Sequence, residues 1–190
     1  MSSVFTMVER VAQERGMAPK EYLEALAAGP FSGMSKDQMR VCCGDIHRTG
    51  LDPLSDELLF LKKGGKWTTT IRYGGMTRLM RRKGITHVDV TYVNHEDGDI
   101  ECRAVLGKTN EDGTVESFCR PEFLSECKQG NEVWKKYPRK MLGHRAVMQS
   151  ARLACDINLP SAEEYLDAGF VSPGKPQADG GGFKILGGAE

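Results

Sequence analysis

The residues with most chemistry to offer are basic, and they come in two runs that contain no acid. Residues 58–88 hold Lys62, Lys63, Lys66, Arg72, Arg78, Arg81, Arg82 and Lys83, with no Asp or Glu. Residues 133–155 hold Lys135, Lys136, Arg139, Lys140, Arg145 and Arg152, again with no acid. The formal net charge is zero, from 26 basic and 26 acidic residues, so charge is separated along the chain rather than scarce. Such separation suits a groove for a polyanion, with cations gathered where phosphates would lie. Trp67, Tyr73, Trp134 and Tyr137 fall in the same windows and could offer flat faces for bases. A solvated face paired with distant acids would explain one basic run; two long ones with aromatics interleaved favour nucleic acid.

Other chemistries fit less well. Gly64-Gly65-Lys66 lacks the spacing and the hydroxyl partner of a nucleotide-binding loop. Glu126-Cys127-Lys128 has the acid-x-Lys form of one class of metal-dependent nuclease, and Asp99 with Glu101 could be drafted as ligands. That Glu and Lys fall on an expected helix after Pro121, not on the strand such chemistry uses. Six cysteines are scattered without a C-x-x-C pair, and adjacent Cys42-Cys43 on a helix cannot both reach one ion, so free thiols and no metal are expected. His47, His87, His95 and His144 each read as structural or surface residues rather than catalysts. No apolar run approaches the roughly 20 residues a bilayer requires, and no signal peptide is visible, so a cytoplasmic protein without membrane contact is expected.

The elements that must position the cations alternate between helical and strand periodicity. Residues 4–15 and 19–28 read as two helices, separated at Gly16 and Pro19, which could rest on the body or on a neighbouring copy. Ser35-x-x-Gln38 is a capping box opening a third helix, and a proline-fixed turn follows at Leu51-Asp52-Pro53-Leu54. Two β-rich runs around Gly64-Gly65 predict a hairpin over residues 58–73. In its second strand Trp67, Thr69, Ile71 and Tyr73 would face the core, while Lys66, Thr68, Thr70 and Arg72 would face anions. A short helix over residues 76–83 gathers Arg78, Arg81 and Arg82 opposite Met76, Leu79 and Met80.

An acid-rich meander over residues 86–119 reads as scaffold, and a short helix should start at Pro121. From Arg139 to about Cys155 runs a long helix that is apolar or small nearly all round, hence buried. Arg145, Gln149 and Arg152, spaced four and three, form its one polar stripe and need partners: either acids from another segment or a phosphate backbone. A second capping box, Ser161-x-x-Glu164, opens a last short helix. The fold class is α+β: a small twisted antiparallel sheet with hairpins, flanked by helices, and one long buried C-terminal helix. Expected organisation is residues 1–30 as N-terminal helices offering subunit contacts, 31–170 as the core, and 171–190 as a flexible Gly/Pro-rich tail.

Four stretches recur in an order that resembles one family. They are Arg48-Thr49-Gly50-Leu51-Asp52-Pro53-Leu54, Ile71-Arg72-Tyr73-Gly74-Gly75-Met76, Trp134 with Pro138, and Met141-Leu142-Gly143-His144-Arg145-Ala146 followed by Gln149 and Ala151-Arg152. Order and spacing resemble the RecT/Bet family of phage single-strand annealing proteins, over about residues 35–158. The resemblance implies an ATP-independent, non-enzymatic protein that coats single-stranded DNA as rings or helical filaments and pairs complementary strands. It implies a single-strand-annealing-protein fold, a phage or prophage gene expressed in the bacterial cytoplasm, and partnership with a 5′-to-3′ exonuclease and a host single-strand-binding protein. No cofactor is implied, with Mg²⁺ at most modulating annealing. Carried over by position, the hairpin with Lys62, Lys63, Lys66, Trp67, Arg72 and Tyr73 would help line the DNA groove. Arg145 and Arg152 would be backbone contacts on the long helix. From the charge pattern itself, Arg78, Arg81, Arg82, Lys135, Lys136, Arg139, Lys140, His144 and Gln149 are further candidate DNA-binding residues. Three departures qualify this: Gly74-Gly75 stands where many members have Asp-Gly, Gly143 where some have a basic residue, and the chain ends soon after the core. A coating protein without annealing activity remains the alternative, and a nuclease the lesser one.

Overall fold

The computed structural model of the chain describes residues 4–167, so the expected tail over residues 171–190 lies outside the described residues. The architecture is α+β, with a two-stranded hairpin and a four-stranded antiparallel sheet set among helices.

Helices α1 (Val4–Glu14) and α2 (Pro19–Ala28) form a pair on the body of the protein. Val8, Val11, Ala12, Tyr22 and Leu26 are buried in the same apolar cluster as the elements that follow. Helix α3 (Lys36–Thr49) begins at the expected capping box: Ser35 Oγ accepts from the Gln38 amide, and the Gln38 side chain accepts from the Ser35 amide. It ends at Gly50, whose φ of 63° is the left-handed conformation that glycine adopts without strain. The proline-fixed turn then runs through a 3-10 turn, Pro53–Ser55, capped by Asp52.

Strands β1 (Leu58–Lys63) and β2 (Lys66–Ile71) pair antiparallel, with Lys63 opposite Lys66 at the Gly64-Gly65 turn. The expected division of β2 into a core face and an anion face fails at Thr70. It is fully buried and donates from Oγ1 to the Leu59 carbonyl at 3.0 Å. Cover for this end comes from α8 (Ala162–Asp167), whose leading residue Ser161 bridges Ile71 in parallel.

Helix α4 (Tyr73–Arg82) starts three residues before the expected Met76, because Gly74 and Gly75 form its first turn instead of a linker. A Cβ on Gly75 would lie 2.4 Å from the Glu57 carbonyl oxygen, so the glycine is there for close approach of two backbones.

Strands β3 (Ile85–Asn94), β4 (Ile100–Thr109) and β5 (Val115–Cys119) form the expected meander. Pro121 opens no helix directly. Glu122–Phe123 first add a short strand, β6, to β4, and only then does α5 (Leu124–Cys127) begin. Helix α6 (Glu132–Lys136) leads into α7 (Pro138–Cys155).

Helix α7 has two cores to serve, which is why it is apolar nearly all round. Met148, Ala151 and Cys155 enter the cluster shared with α1, α3, α4 and the hairpin. Leu142, Ala146 and Val147 enter a second cluster with Cys102 and Ala104 of β4, Cys127 and Trp134. Its remaining polar stripe meets α8 and β6.

Candidate nucleic-acid interface

The two acid-free windows meet where α4 lies against α7. Tyr73, the first residue of α4, stacks on His144 of α7 with ring centroids 4.5 Å apart and planes inclined at 28°. Tyr73 is exposed. Burial holds the His144 pKa below its ordinary value; nearby Glu163 pulls it upward and Lys140 pushes it down. His144 is therefore a neutral ring at neutral pH, an aromatic plate beneath Tyr73 rather than a cation.

Exposed cations stand along the same two windows. The Lys136 ammonium lies 5.3 Å from the centroid of the exposed Tyr137 ring. Arg139 sits 5.9 Å from the Tyr92 centroid and donates to Asn94 Oδ1 at 2.9 Å. Tyr92 in turn donates to the Arg139 carbonyl, and it comes so near α7 that a Cβ on Gly143 would be 2.3 Å from its hydroxyl. Lys140 is exposed one residue further on. In the hairpin, Lys62 lies 5.4 Å from the centroid of the half-buried Trp67, and Lys66 is exposed beside the turn. Among the described residues no carboxylate pairs with Lys62, Lys66, Lys136, Arg139 or Lys140, or with exposed Arg81. The side chain of Lys63 lies outside the described set.

The polar stripe of α7 is more deeply set. Arg145 has 23% of its side chain exposed, and its Nε is 3.9 Å from both Glu122 of β6 and Glu164 of α8. Gln149 donates to Glu164 Oε1 at 2.7 Å, and Arg152 donates to Gln149 Oε1 at 3.2 Å. Of the partners that the sequence left open for these arginines, carboxylates lie near Arg145, while Arg152 has no carboxylate partner among the described residues.

Several residues expected in the groove are engaged elsewhere. Arg72 pairs with Asp56 at 2.5 Å. Arg78 donates to both oxygens of Glu57, at 2.9 and 3.0 Å, and also to Glu14. Arg82 reaches Glu14 at 3.2 Å and the carbonyls of Thr49 and Gly50 at 3.2 and 3.0 Å. These bonds tie α1 and the end of α3 to α4, so the open basic arc expected on α4 shrinks to Arg81. Lys135 pairs with Glu132 at 2.8 Å, an exposed contact of little worth. Trp134 is 1% exposed and is a core residue, not a stacking platform.

Sequence reading missed Arg120, which stands in the acid-rich half of the chain. Its amide donates to Ser150 Oγ at 2.9 Å, and with Gln149 and Arg152 it lines a cavity of about 380 Å³. The residues drafted for a nuclease do not assemble. Asp99 accepts from the Ser125 hydroxyl and amide, Glu101 is held by Arg103 and His95, and Glu126 lies on α5. No helix among the described residues is long and apolar enough to cross a membrane.

The chain is similar to the recombination protein Bet of Escherichia phage lambda, at 23% identity over 168 residues covering 80% of this chain and 62% of that protein. It therefore spans less than two thirds of the length of that relative. No family model matches the chain. No solved structure matches it.

Proposed function

We propose that this protein binds single-stranded DNA and anneals complementary strands in phage-type recombination, as an oligomer and without nucleotide hydrolysis. The observation that carries the reading is that two acid-free windows meet at one stacked aromatic pair, and that their exposed Lys62, Lys66, Arg81, Lys136, Arg139 and Lys140 have no carboxylate partner among the described residues. Similarity to a recombination protein of phage lambda supports it independently. Lys136, Arg139, Lys140, Arg81, Lys62 and Lys66 would hold phosphates without reading sequence, while Tyr73 and Tyr137 offer faces to bases. Arg145 and Arg152 would hold the backbone most firmly because they are partly desolvated. Bases held outward can then be tested by a second strand, and the duplex itself supplies the free energy of pairing. A domain of this size covers only a few nucleotides, so sampling long complementarity calls for adjacent copies.

The test is a mixing experiment with two complementary labelled oligonucleotides, one carrying a quencher, with no nucleotide triphosphate present. The protein is expected to accelerate loss of fluorescence over spontaneous hybridisation. A coating protein would slow it, and a nuclease would shorten the labelled strand when Mg²⁺ is added.

The hairpin has its own expected signature. For single strands, log K falls with log salt by about 0.7 for each phosphate contact, so Lys62→Ala with Lys66→Ala should flatten the slope by about 1.4. Affinity should weaken in a graded manner, read by fluorescence anisotropy at several salt concentrations. An unchanged slope would remove the hairpin from the groove.

A further inference from the structure

Among the described residues three buried side-chain atoms have no hydrogen-bond partner: Arg145 Nε, Arg152 Nε and Glu163 Oε2. Arg145 and Arg152 belong to the polar stripe of α7, and Glu163 stands on α8 next to Glu164, which accepts from Gln149 of that stripe. Buried polar atoms without a hydrogen bond are costly and uncommon in native proteins, so three of them on two neighbouring elements call for a physical reason.

The contact is well made in one place and poorly made around it. Gln149 gives Glu164 a good hydrogen bond at 2.7 Å. Arg145, by contrast, reaches Glu164 only at 3.9 Å, the edge of ion-pair range, and makes the same long approach to Glu122. Arg152 bonds the neutral side of Gln149 at 3.2 Å and leaves its own Nε idle. The Arg145 guanidinium thus faces two carboxylates without forming the forked bonds that such groups make when the fit is good, and Arg152 has no carboxylate partner among the described residues. Beside Arg152 the cavity of about 380 Å³ carries a further cation, Arg120.

The mounting of α8 is uneven. Its root is fixed: the Pro160 carbonyl accepts from the Ile71 amide at 2.9 Å, and Ser161 and Ala162 are buried. Beyond the root, Glu163, Glu164 and Tyr165 are half-buried and Leu166 is exposed. The carboxylates therefore stand in the first turn of a six-residue helix, just past its buried root.

We propose that α8 is an acidic strap whose Glu163 and Glu164 occupy, in the free protein, the place of DNA phosphates on the Arg145–Gln149–Arg152 stripe, and that an entering strand displaces them. This rests on the DNA-binding reading above. Phosphate oxygens can satisfy the idle Nε groups that the strap leaves unpaired, so strand and strap compete for the same donors. Apparent affinity is then reduced by the fraction of molecules whose stripe is covered.

Two measurements test the strap, both on the full chain. In hydrogen–deuterium exchange with and without a thymidine oligonucleotide, amides of residues 162–167 should exchange faster in the bound state. Slower or unchanged exchange there would overturn the proposal, since α8 would be part of the grip or uninvolved. Glu163→Gln with Glu164→Gln keeps size and hydrogen-bonding capacity while removing charge. It should bind the oligonucleotide up to about tenfold more tightly if roughly one molecule in ten is open beforehand. Equal or weaker binding by the folded variant would overturn it, and if the variant does not fold, the exchange result on the native chain decides. Failure of the underlying reading looks different: the native protein would bind no oligonucleotide even at low salt.

Discussion

Arg145→Ala combined with Arg152→Ala is expected to lower affinity for a single strand by a hundredfold or more while the protein stays folded. Each arginine would contribute a charge-assisted contact of about 1.5–3 kcal/mol, and about 1.4 kcal/mol corresponds to a factor of ten. The structural cost should be smaller, because neither side chain makes a close ion pair. Arg145 approaches Glu122 and Glu164 only at 3.9 Å, and those carboxylates keep 13% and 18% of their side chains in solvent. Arg152 would forfeit one hydrogen bond to Gln149. Anisotropy with a labelled oligonucleotide reads the affinity, and a circular-dichroism melt reads the fold. Arg152→Ala alone should account for much of the loss, since no described carboxylate depends on it. A double variant that aggregates or melts far below the native protein would make both residues structural and the phosphate role wrong.

The sequence showed local structure well because local structure has local causes. The capping box at Ser35, the Gly50 stop, the Gly64-Gly65 hairpin and the encircling apolarity of α7 each depend on a few adjacent residues, and each stands where expected. What it hid were partnerships between distant segments. Arg78 and Arg82 read as an open basic arc, yet the acid that holds them, Glu14, is 64 and 68 residues away. The same limit explains Thr70: its alternation pattern is that of an exposed residue, yet it is fully buried, next to the point where the distant Ser161 returns to bridge Ile71. Gly74-Gly75 resembled a linker because glycine pairs usually break helices, whereas here the approach of Glu57 needs a residue without a side chain. The candidate site is legible as a charge pattern and illegible as a surface, since Arg72, Arg78 and Arg82 of the first basic run are spent on internal pairs.

Asp52→Ala is expected to destabilise the protein by about 3–5 kcal/mol, the usual cost of removing one member of a buried charged network. Asp52 is 4% exposed and accepts from the Tyr22 hydroxyl at 2.6 Å, Arg15 at 2.5 Å, Ser55 at 2.9 Å and the Leu54 amide at 2.9 Å. Alanine would leave the Tyr22 hydroxyl buried without its acceptor. For a domain of this size each kcal/mol moves the melting temperature by about 2–4 °C, so a drop of roughly 10 °C is expected. Burial by itself would raise the Asp52 pKa, but the bonds from Tyr22, Ser55, Leu54 and Arg15 outweigh it and hold the carboxyl below its ordinary 3.8. Its contribution is therefore complete above pH 3.8 and is lost as pH falls from there through the depressed folded value. Tyr22 acts in the opposite window: burial and its bond to Asp52 raise its pKa above 10.0, so its contribution is complete below that pH and lost well above it. Asp52→Asn should flatten the acid limb of the stability curve measured by urea denaturation, and a limb unchanged by the substitution would sink this assignment. The consequence reaches the interface, because the Asp52 amide donates to Glu57 at 2.8 Å and Glu57 holds Arg78. A loosened turn would release the start of α4, and with it the ring of Tyr73 from His144.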